Sequence, residues 1–299
     1  MCTAISLEGK YHLFGRTLDV DRDYGQEVSV LLKNSMVDFR HLPAISKHPA
    51  VLGMAVKINE QPLFFDGVNE KGLCAAALNF PHYTVYHSLK EEKTNIASYE
   101  FITYVLCTCS NVTDAENLLK SANITPENFT DDLPTTPLHW IISDKNKSIT
   151  VESVADGLKI YENPIGVLTN APEFPYHLLR LSDYMKVSPM APKNNINPSV
   201  KLLEYSGGLG GVGLPGDFSS VSRFVRAAFV KNNIKIERDK EKDIKQFFHI
   251  LDSVLVPKGC VVNNDGGLMH TAYSCCIDPS EPAYYFTTYD DRKIVKKVI

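Results

Sequence analysis

Met1-Cys2-Thr3-Ala4-Ile5-Ser6-Leu7-Glu8-Gly9-Lys10-Tyr11-His12-Leu13-Phe14-Gly15-Arg16-Thr17-Leu18-Asp19 opens the chain, and its reading decides the fold. Thr3–Leu7 and Tyr11–Arg16 are strand-like runs joined by Glu8-Gly9-Lys10, a short connection containing glycine. They predict a hairpin that starts at the very N-terminus. Strand pairing then carries Arg16 and its successors back beside Cys2. The small Cys2 side chain favours removal of Met1, which would leave a free α-amine next to a thiol. Reference pKa values are about 7.7–8.0 for such an amine and about 8.5 for a thiol, so one residue would hold both a base and a nucleophile near neutral pH. A guanidinium at Arg16 would favour the thiolate, and a carboxylate at Asp19 could fix the amine. The same two residues also read as a surface ion pair of little energetic weight.

Outward from the hairpin, the first third of the chain is strands and turns. Val28–Leu32 and Val51–Ile58 are strand candidates. Leu63–Phe65 and Leu73–Phe80 flank Asp66-Gly67-Val68-Asn69-Glu70-Lys71-Gly72, whose composition predicts a turn-rich connection. Apolar spacing predicts a helix over Ser98–Cys109. Thr113-Asp114-Ala115-Glu116 reads as a capping box opening a second helix that runs to about Ser121. Strands come next at Leu138–Ser143, Ile149–Val154, Leu158–Tyr161 and Gly166–Thr169. Helices are expected at Tyr176–Met185, Ser220–Lys231 and Asp243–Leu255, then strands at Thr271–Ile277 and Ala283–Tyr289. Runs of antiparallel strands separated by runs of helices point to a layered α+β fold. With no repeat and no composition shift, residues 1–299 are expected to form one domain.

Composition narrows the function. Of 299 residues, 44% are hydrophobic and 22% charged, the mix of a globular protein, and the formal net charge is −4. A nucleic acid partner would need a basic stripe, and none is visible. Lys240, Lys242 and Lys245 alternate with Glu237, Glu241 and Asp243 as a solvated helix face. No apolar run approaches the ~20 residues that span a bilayer, and the start lacks a signal-peptide pattern, so a cytoplasmic location is expected. Seven cysteines, an odd number without framework spacing, agree with that. The sequons at Asn111, Asn128 and Asn146 then read as chance matches.

Two other patterns are weak. Gly208-Leu209-Gly210-Gly211-Val212-Gly213 satisfies a dinucleotide-binding spacing, but Glu204-Tyr205-Ser206 precedes it and Pro215-Gly216 interrupts any helix after it. It reads as a loop. Cys107-x-Cys109 and Cys275-Cys276 lack zinc-site spacing, and His139 beside Trp140 reads as a core residue. No metal and no cofactor is expected.

A set of short motifs occurs in a fixed order: Met1-Cys2-Thr3, Phe14-Gly15-Arg16-x-x-Asp19, Asn69-Glu70-Lys71-Gly72-Leu73, Leu78-Asn79-Phe80-Pro81, Leu138-His139-Trp140, Gly166-Val167-Leu168-Thr169-Asn170, Gly213-Leu214-Pro215-Gly216-Asp217-Phe218 and Ser222-Arg223-Phe224. Together they resemble the choloylglycine hydrolase family, which contains bile salt hydrolases and penicillin V acylases. The resemblance covers nearly the whole chain. It implies a four-layer αββα N-terminal-nucleophile hydrolase sandwich and amide hydrolysis through an acyl-enzyme on Cys2. It further implies that Arg16 stabilises the thiolate and Asp19 holds the amine. Asn170, Asn79 and backbone donors would bind the oxyanion, and Arg223 would complete the polar cluster.

Read alone, Asn170 is equally a turn residue, Asn79 a strand end and Arg223 a helix-surface charge. Leu-Asn-Phe-Pro at 78–81 resembles the bile salt branch, which implies a glycine- or taurine-conjugated steroid acid as substrate. Leu18, Ile58, Phe65, Phe129, Leu133 and Leu138 would wall the pocket, and the resemblance suggests a homotetramer. The alternatives are a penicillin V acylase or related acyl-amide hydrolase, and a non-catalytic binding member of the fold. Thr17 and Pro137 depart from the family pattern.

Overall fold

In the computed structural model, which describes residues 1–58, 61–131 and 133–298, the opening hairpin forms the middle of a sheet. Strand β1 (Cys2–Leu7) pairs antiparallel with β2 (Leu13–Val20), placing Cys2 opposite Leu18 and Ala4 opposite Arg16. The second strand runs four residues further than its sequence suggests. Alternation therefore puts Cys2, Ala4, Arg16 and Leu18 on one face, with Thr3, Ile5, Thr17 and Asp19 on the other.

Strand β3 (Glu27–Leu31), β4 (Val51–Ile58), β5 (Gln61–Asn69) and β6 (Cys74–Asn79) continue as a meander. A short parallel pair, β7 (Thr94–Ala97) and β8 (Ala122–Thr125), encloses α1 (Phe101–Thr108) and α2 (Val112–Leu119). Then come β9 (Leu138–Ser143), β10 (Ser148–Val154), β11 (Gly157–Glu162) and β12 (Val167–Leu168). Helices α3 (Phe174–Leu181), α4 (Ser220–Asn233) and α5 (Lys240–Asp252) precede β13 (Val261–Val262), β14 (Leu268–Asp278), β15 (Ala283–Thr288) and β16 (Val295–Val298).

The strands build two antiparallel sheets. One has the order β12-β1-β2-β14-β15-β16, with β13 on β14; the other runs β11-β10-β9-β6-β5-β4-β3. Helices α4 and α5 pack on the first sheet, α1 and α2 on the second, and β1 and β2 face β6 across the middle. This is the α+β, αββα sandwich. Its inner core includes Ala4, Phe14, Leu78, Ile141 and Tyr273, all essentially buried.

Gly15 lets β2 lie close against β14 and α5. A Cβ there would sit 2.0 Å from the Cys275 carbonyl oxygen and 2.9 Å from the Phe247 ring on α5. Gly210 has a similar role in the glycine-rich loop, where a Cβ would meet the Met190 carbonyl at 1.9 Å. That loop follows no strand and contains only a turn of 3-10 helix, Leu209–Gly211.

Several boundaries differ from the sequence reading. The capping residue of α2 is Asn111, which accepts from Asp114 N at 2.9 Å, and Asp114 returns the contact to Ser110 N. The Thr113 box is therefore displaced by two residues. Asp66, Gly67, Val68 and Asn69 are not a turn but the second half of β5. Asn69 ends it, donating to the Leu106 and Cys109 carbonyls and accepting from Lys71 N and Leu73 N. Asp243 is buried rather than solvated, because it accepts from Glu237 N.

Candidate active site

Cys2 sits at the start of β1 with 3% of its surface exposed and lines a cleft of about 610 Å³. The two faces of the hairpin divide the polar groups around it. Arg16 points between the sheets and is fully buried. Its Nη1 donates to the Phe65 carbonyl (3.1 Å) and the Ala77 carbonyl (2.5 Å), and its Nε to the Thr17 carbonyl. Nη2 has no hydrogen-bond partner among the described residues. Burial works most strongly against the Arg16 charge, but Cys2, Tyr273, Asp66 and Cys275 outweigh it and hold the guanidinium above its ordinary pKa.

Behind the strand lies a second cluster. Helix α4 is capped by Ser219, whose side chain accepts from Ser222 N. Its second turn sends Arg223 inward to complete burial. Arg223 Nη1 donates to Cys2 O (2.5 Å) and Thr3 Oγ1 (2.7 Å), Nη2 to Asn170 Oδ1 (2.6 Å), and Nε to Phe218 O (3.0 Å). Asp19 approaches it at 3.9 Å and accepts from Thr271 Oγ1 at 2.6 Å. Burial lowers the Arg223 pKa, with Asp19 and Cys2 opposing. The Cys2 nitrogen donates to Asn170 Oδ1 at 2.9 Å. With its oxygen facing two donors, the Asn170 amide must turn Nδ2 the other way, where it meets the Asn79 carbonyl at 2.7 Å.

Cys2, Arg16, Asp19 and Asn79 line the cleft, and Asn170 and Arg223 reach the same cysteine from behind. The six expected residues are thus in one place, with different contacts from those anticipated. The group touching the Cys2 nitrogen is Asn170, not the Asp19 carboxylate. Met1 accounts for part of this: its backbone pairs with Asp19, with Met1 N donating to Asp19 O (2.7 Å) and Asp19 N to Met1 O (2.9 Å).

Residues 2–298 match the profile described as linear amide C-N hydrolases, choloylglycine hydrolase family. The chain belongs to the choloylglycine hydrolase family. It is an amide hydrolase. A bile salt hydrolase/transferase of Lactiplantibacillus plantarum is 42% identical over 294 residues, covering 98% of this chain and 91% of that protein. The crystal structure of a C2A mutant conjugated bile acid hydrolase from Clostridium perfringens superposes with a TM-score of 0.92 at 37% identity, covering 100% of this chain and 92% of that one. A penicillin V acylase of Pectobacterium atrosepticum is 25% identical over 240 residues, covering 74% of this chain and 58% of that protein.

In this family member, all six expected wall residues, Leu18, Ile58, Phe65, Phe129, Leu133 and Leu138, line the cleft. Arg22, Tyr24, Tyr99, Asn263 and Met269 also line it and carried no sequence signal. Tyr24 lies against Phe65, ring centroids 6.1 Å apart, and Tyr99 against Phe129 at 5.1 Å.

The structure adds a buried group that composition concealed. Asp66 is fully buried and accepts from the hydroxyls of Tyr273 (2.5 Å) and Tyr284 (2.6 Å). Burial raises its pKa, and Arg16 with the two tyrosines opposes that rise. Its place within β5 would be found only by preferring strand over turn at Asp66-Gly67. His139 is buried, bonded to Glu152 and the Thr169 carbonyl and stacked on Phe80 at 4.3 Å, which is a core arrangement. All seven cysteines are free thiols. No helix among the described residues is long and apolar enough to cross a membrane.

Proposed function

We propose that the chain is a cysteine N-terminal-nucleophile amidohydrolase that cleaves glycine- or taurine-conjugated bile salts once Met1 is removed. The observation that carries this is the cleft itself: one cavity is lined both by Cys2, Arg16 and Asn79 and by an aromatic and aliphatic wall. A rigid steroid acid matches such a slot, with its amide at the thiol. The two bile-acid relatives at 42% and 37% identity favour this acyl group over that of penicillin V, whose acylase stands at 25%.

The freed Cys2 amine takes the thiol proton, and the sulfur attacks the amide carbonyl carbon. Arg16, whose Nη2 has no hydrogen-bond partner among the described residues and whose charge Cys2 favours, stabilises the thiolate. Asp19 balances the Arg223 charge and, with Asn170, orients the amine. Asn79, which lines the cleft, and Asn170 meet the oxyanion, where one such donor is typically worth about 10²–10³ in rate. The ammonium returns its proton to the leaving nitrogen, the C–N bond breaks, and water attacks the thioester to release the acid and restore the thiol.

The continuous inner core supports reading the chain as one domain; the final residue of the 1–299 span lies outside the described residues. Free thiols throughout support a reducing, cytoplasmic setting. The exposed Met185, Met190, Ile196, Leu203 and Tyr205 support a homo-oligomer, with a tetramer as the expected state.

Intact mass of natively expressed protein, and then hydrolysis of glycine- and taurine-conjugates beside penicillin V, tests the proposal. The expected result is loss of Met1, turnover of the conjugates, and none in Cys2→Ala with binding retained. Retained Met1 with full activity, or turnover surviving Cys2→Ala, would overturn the mechanism. A strong preference for penicillin V would overturn the substrate.

A further inference from the structure

The inward row of β2 runs Arg16, Leu18 and Val20, where the strand ends, and Arg22 follows in a bend at 21–22. Leu18 stands opposite Cys2, so the two arginines bracket the nucleophile along the chain. Their surroundings differ. Arg16 is buried and bound to three backbone carbonyls. Arg22 lines the same cleft with 70% of its side chain exposed.

Among the described residues, the ion-pair partner of Arg22 is Asp21, reached through Nε at 3.5 Å, and the guanidinium stands 5.7 Å from the Tyr24 ring centroid. Its two terminal nitrogens meet no acceptor among those residues. Asp21 meets Arg22 through Oδ1 alone, its Oδ2 accepting from Asn263 Nδ2 at 2.7 Å, and Asp23 Oδ1 accepts from Gly25 N at 2.9 Å. A free guanidinium fork matches a carboxylate or sulfonate.

The position also fits. Arg22 is four positions beyond Leu18, about 13 Å in extended chain and less through the bend at 21–22. An arginine side chain is long enough to cover part of that gap, and Arg22 lines the cleft that Cys2 also lines. Met1 lies in the stretch between, paired with the Asp19 backbone, and its removal opens that stretch. An amide held at Cys2 with its acyl part on the apolar wall would extend its amine part into the vacated space. The acid group of glycine or taurine, two or three bonds beyond the scissile nitrogen, would then end near the Arg22 fork.

We infer that Arg22 recognises the anionic end of the leaving group, so that the enzyme favours acyl amides of acidic-ended amines over amides of uncharged ones. This rests on the amidase reading of Cys2. Both glycine and taurine satisfy it, so the discrimination is by charge.

The test compares a glycine-conjugated bile acid with the ethanolamine amide of the same acid, on processed wild type, Arg22→Gln and Arg22→Lys. Wild type is expected to show a KM about 2- to 5-fold lower for the glycine conjugate with similar kcat, the size of a solvent-exposed ion pair. Arg22→Gln should erase that difference, and Arg22→Lys should keep part of it. The wild-type preference should shrink between about 0.05 and about 0.5 M salt. An unchanged ratio in Arg22→Gln, or an equal loss toward both amides, overturns the inference. If no bile acid amide is turned over, the substrate proposed above fails by itself; the same pair made with a phenoxyacetyl group then decides the role of Arg22. Turnover of neither acyl series overturns both.

Discussion

Asn170 and Arg223 form a lock around the main chain of the nucleophile. The guanidinium holds Cys2 O and Asn170 Oδ1 at once, and the second contact orients the amide that receives the Cys2 nitrogen. Its planar fork cannot be copied by an ammonium. Arg223→Lys should therefore lower kcat about 10²-fold or more with a smaller change in KM, because the amide loses its fixed orientation. It should also lower unfolding stability by about 2–4 kcal/mol, since buried acceptors go unpaired. Steady-state kinetics and a denaturant midpoint measure the two effects. A variant with normal kcat would mean that the amide is oriented by Asn79 O alone.

At the scale of elements, the corrected cap of α2 is directly testable. Asn111→Ala should cost about 1 kcal/mol, while Thr113→Ala should stay within about 0.5 kcal/mol; urea midpoints of the two decide it. The error in the sequence reading has a physical origin. Both positions carry capping-type residues, and only the chain's approach to the helix selects between them.

Signals carried by consecutive residues were legible: the opening hairpin, the helix containing Arg223, and the strands around Trp140 all emerge from local alternation. The N-terminal cluster could be anticipated because Cys2, Arg16 and Asp19 share one hairpin. Asp66 could not. Its local composition favours a turn, and it is held within β5 by hydroxyls from Tyr273 and Tyr284, more than 200 positions away. Short elements such as β7, β8, β13 and β16 carry too few residues for periodicity to register. The roles proposed for Asn79 and Asn170 rest on the family resemblance, since an asparagine before proline or in a turn has no distinctive local signal.

Over the whole molecule, two histidines link stability to acidity. His177 is buried and donates Nε2–H to the Asn170 carbonyl at 2.9 Å, while His12 meets Ser6 and Ser143 where the two sheets face each other. Burial pushes the pKa of each down from 6.5 to about 4. Both are therefore neutral in the fold and charged more readily when unfolded. Their contribution is complete above pH 6.5 and is lost as pH falls toward about 4, each amounting to on the order of 3 kcal/mol at most. Urea unfolding at pH 7 and pH 5 should show a clear drop, and His177→Gln should flatten it. An unchanged drop in that variant would place the titration elsewhere.

The pairing of Met1 with the Asp19 backbone bears on the order of events during synthesis. Both main-chain groups of Met1 are tied to β2, and the residue is half-buried in the finished fold. A peptidase needs that segment extended and free, so trimming competes with closure of the hairpin. A chain that folds first keeps a peptide bond where the base should be, and it stays chemically silent although its architecture is complete.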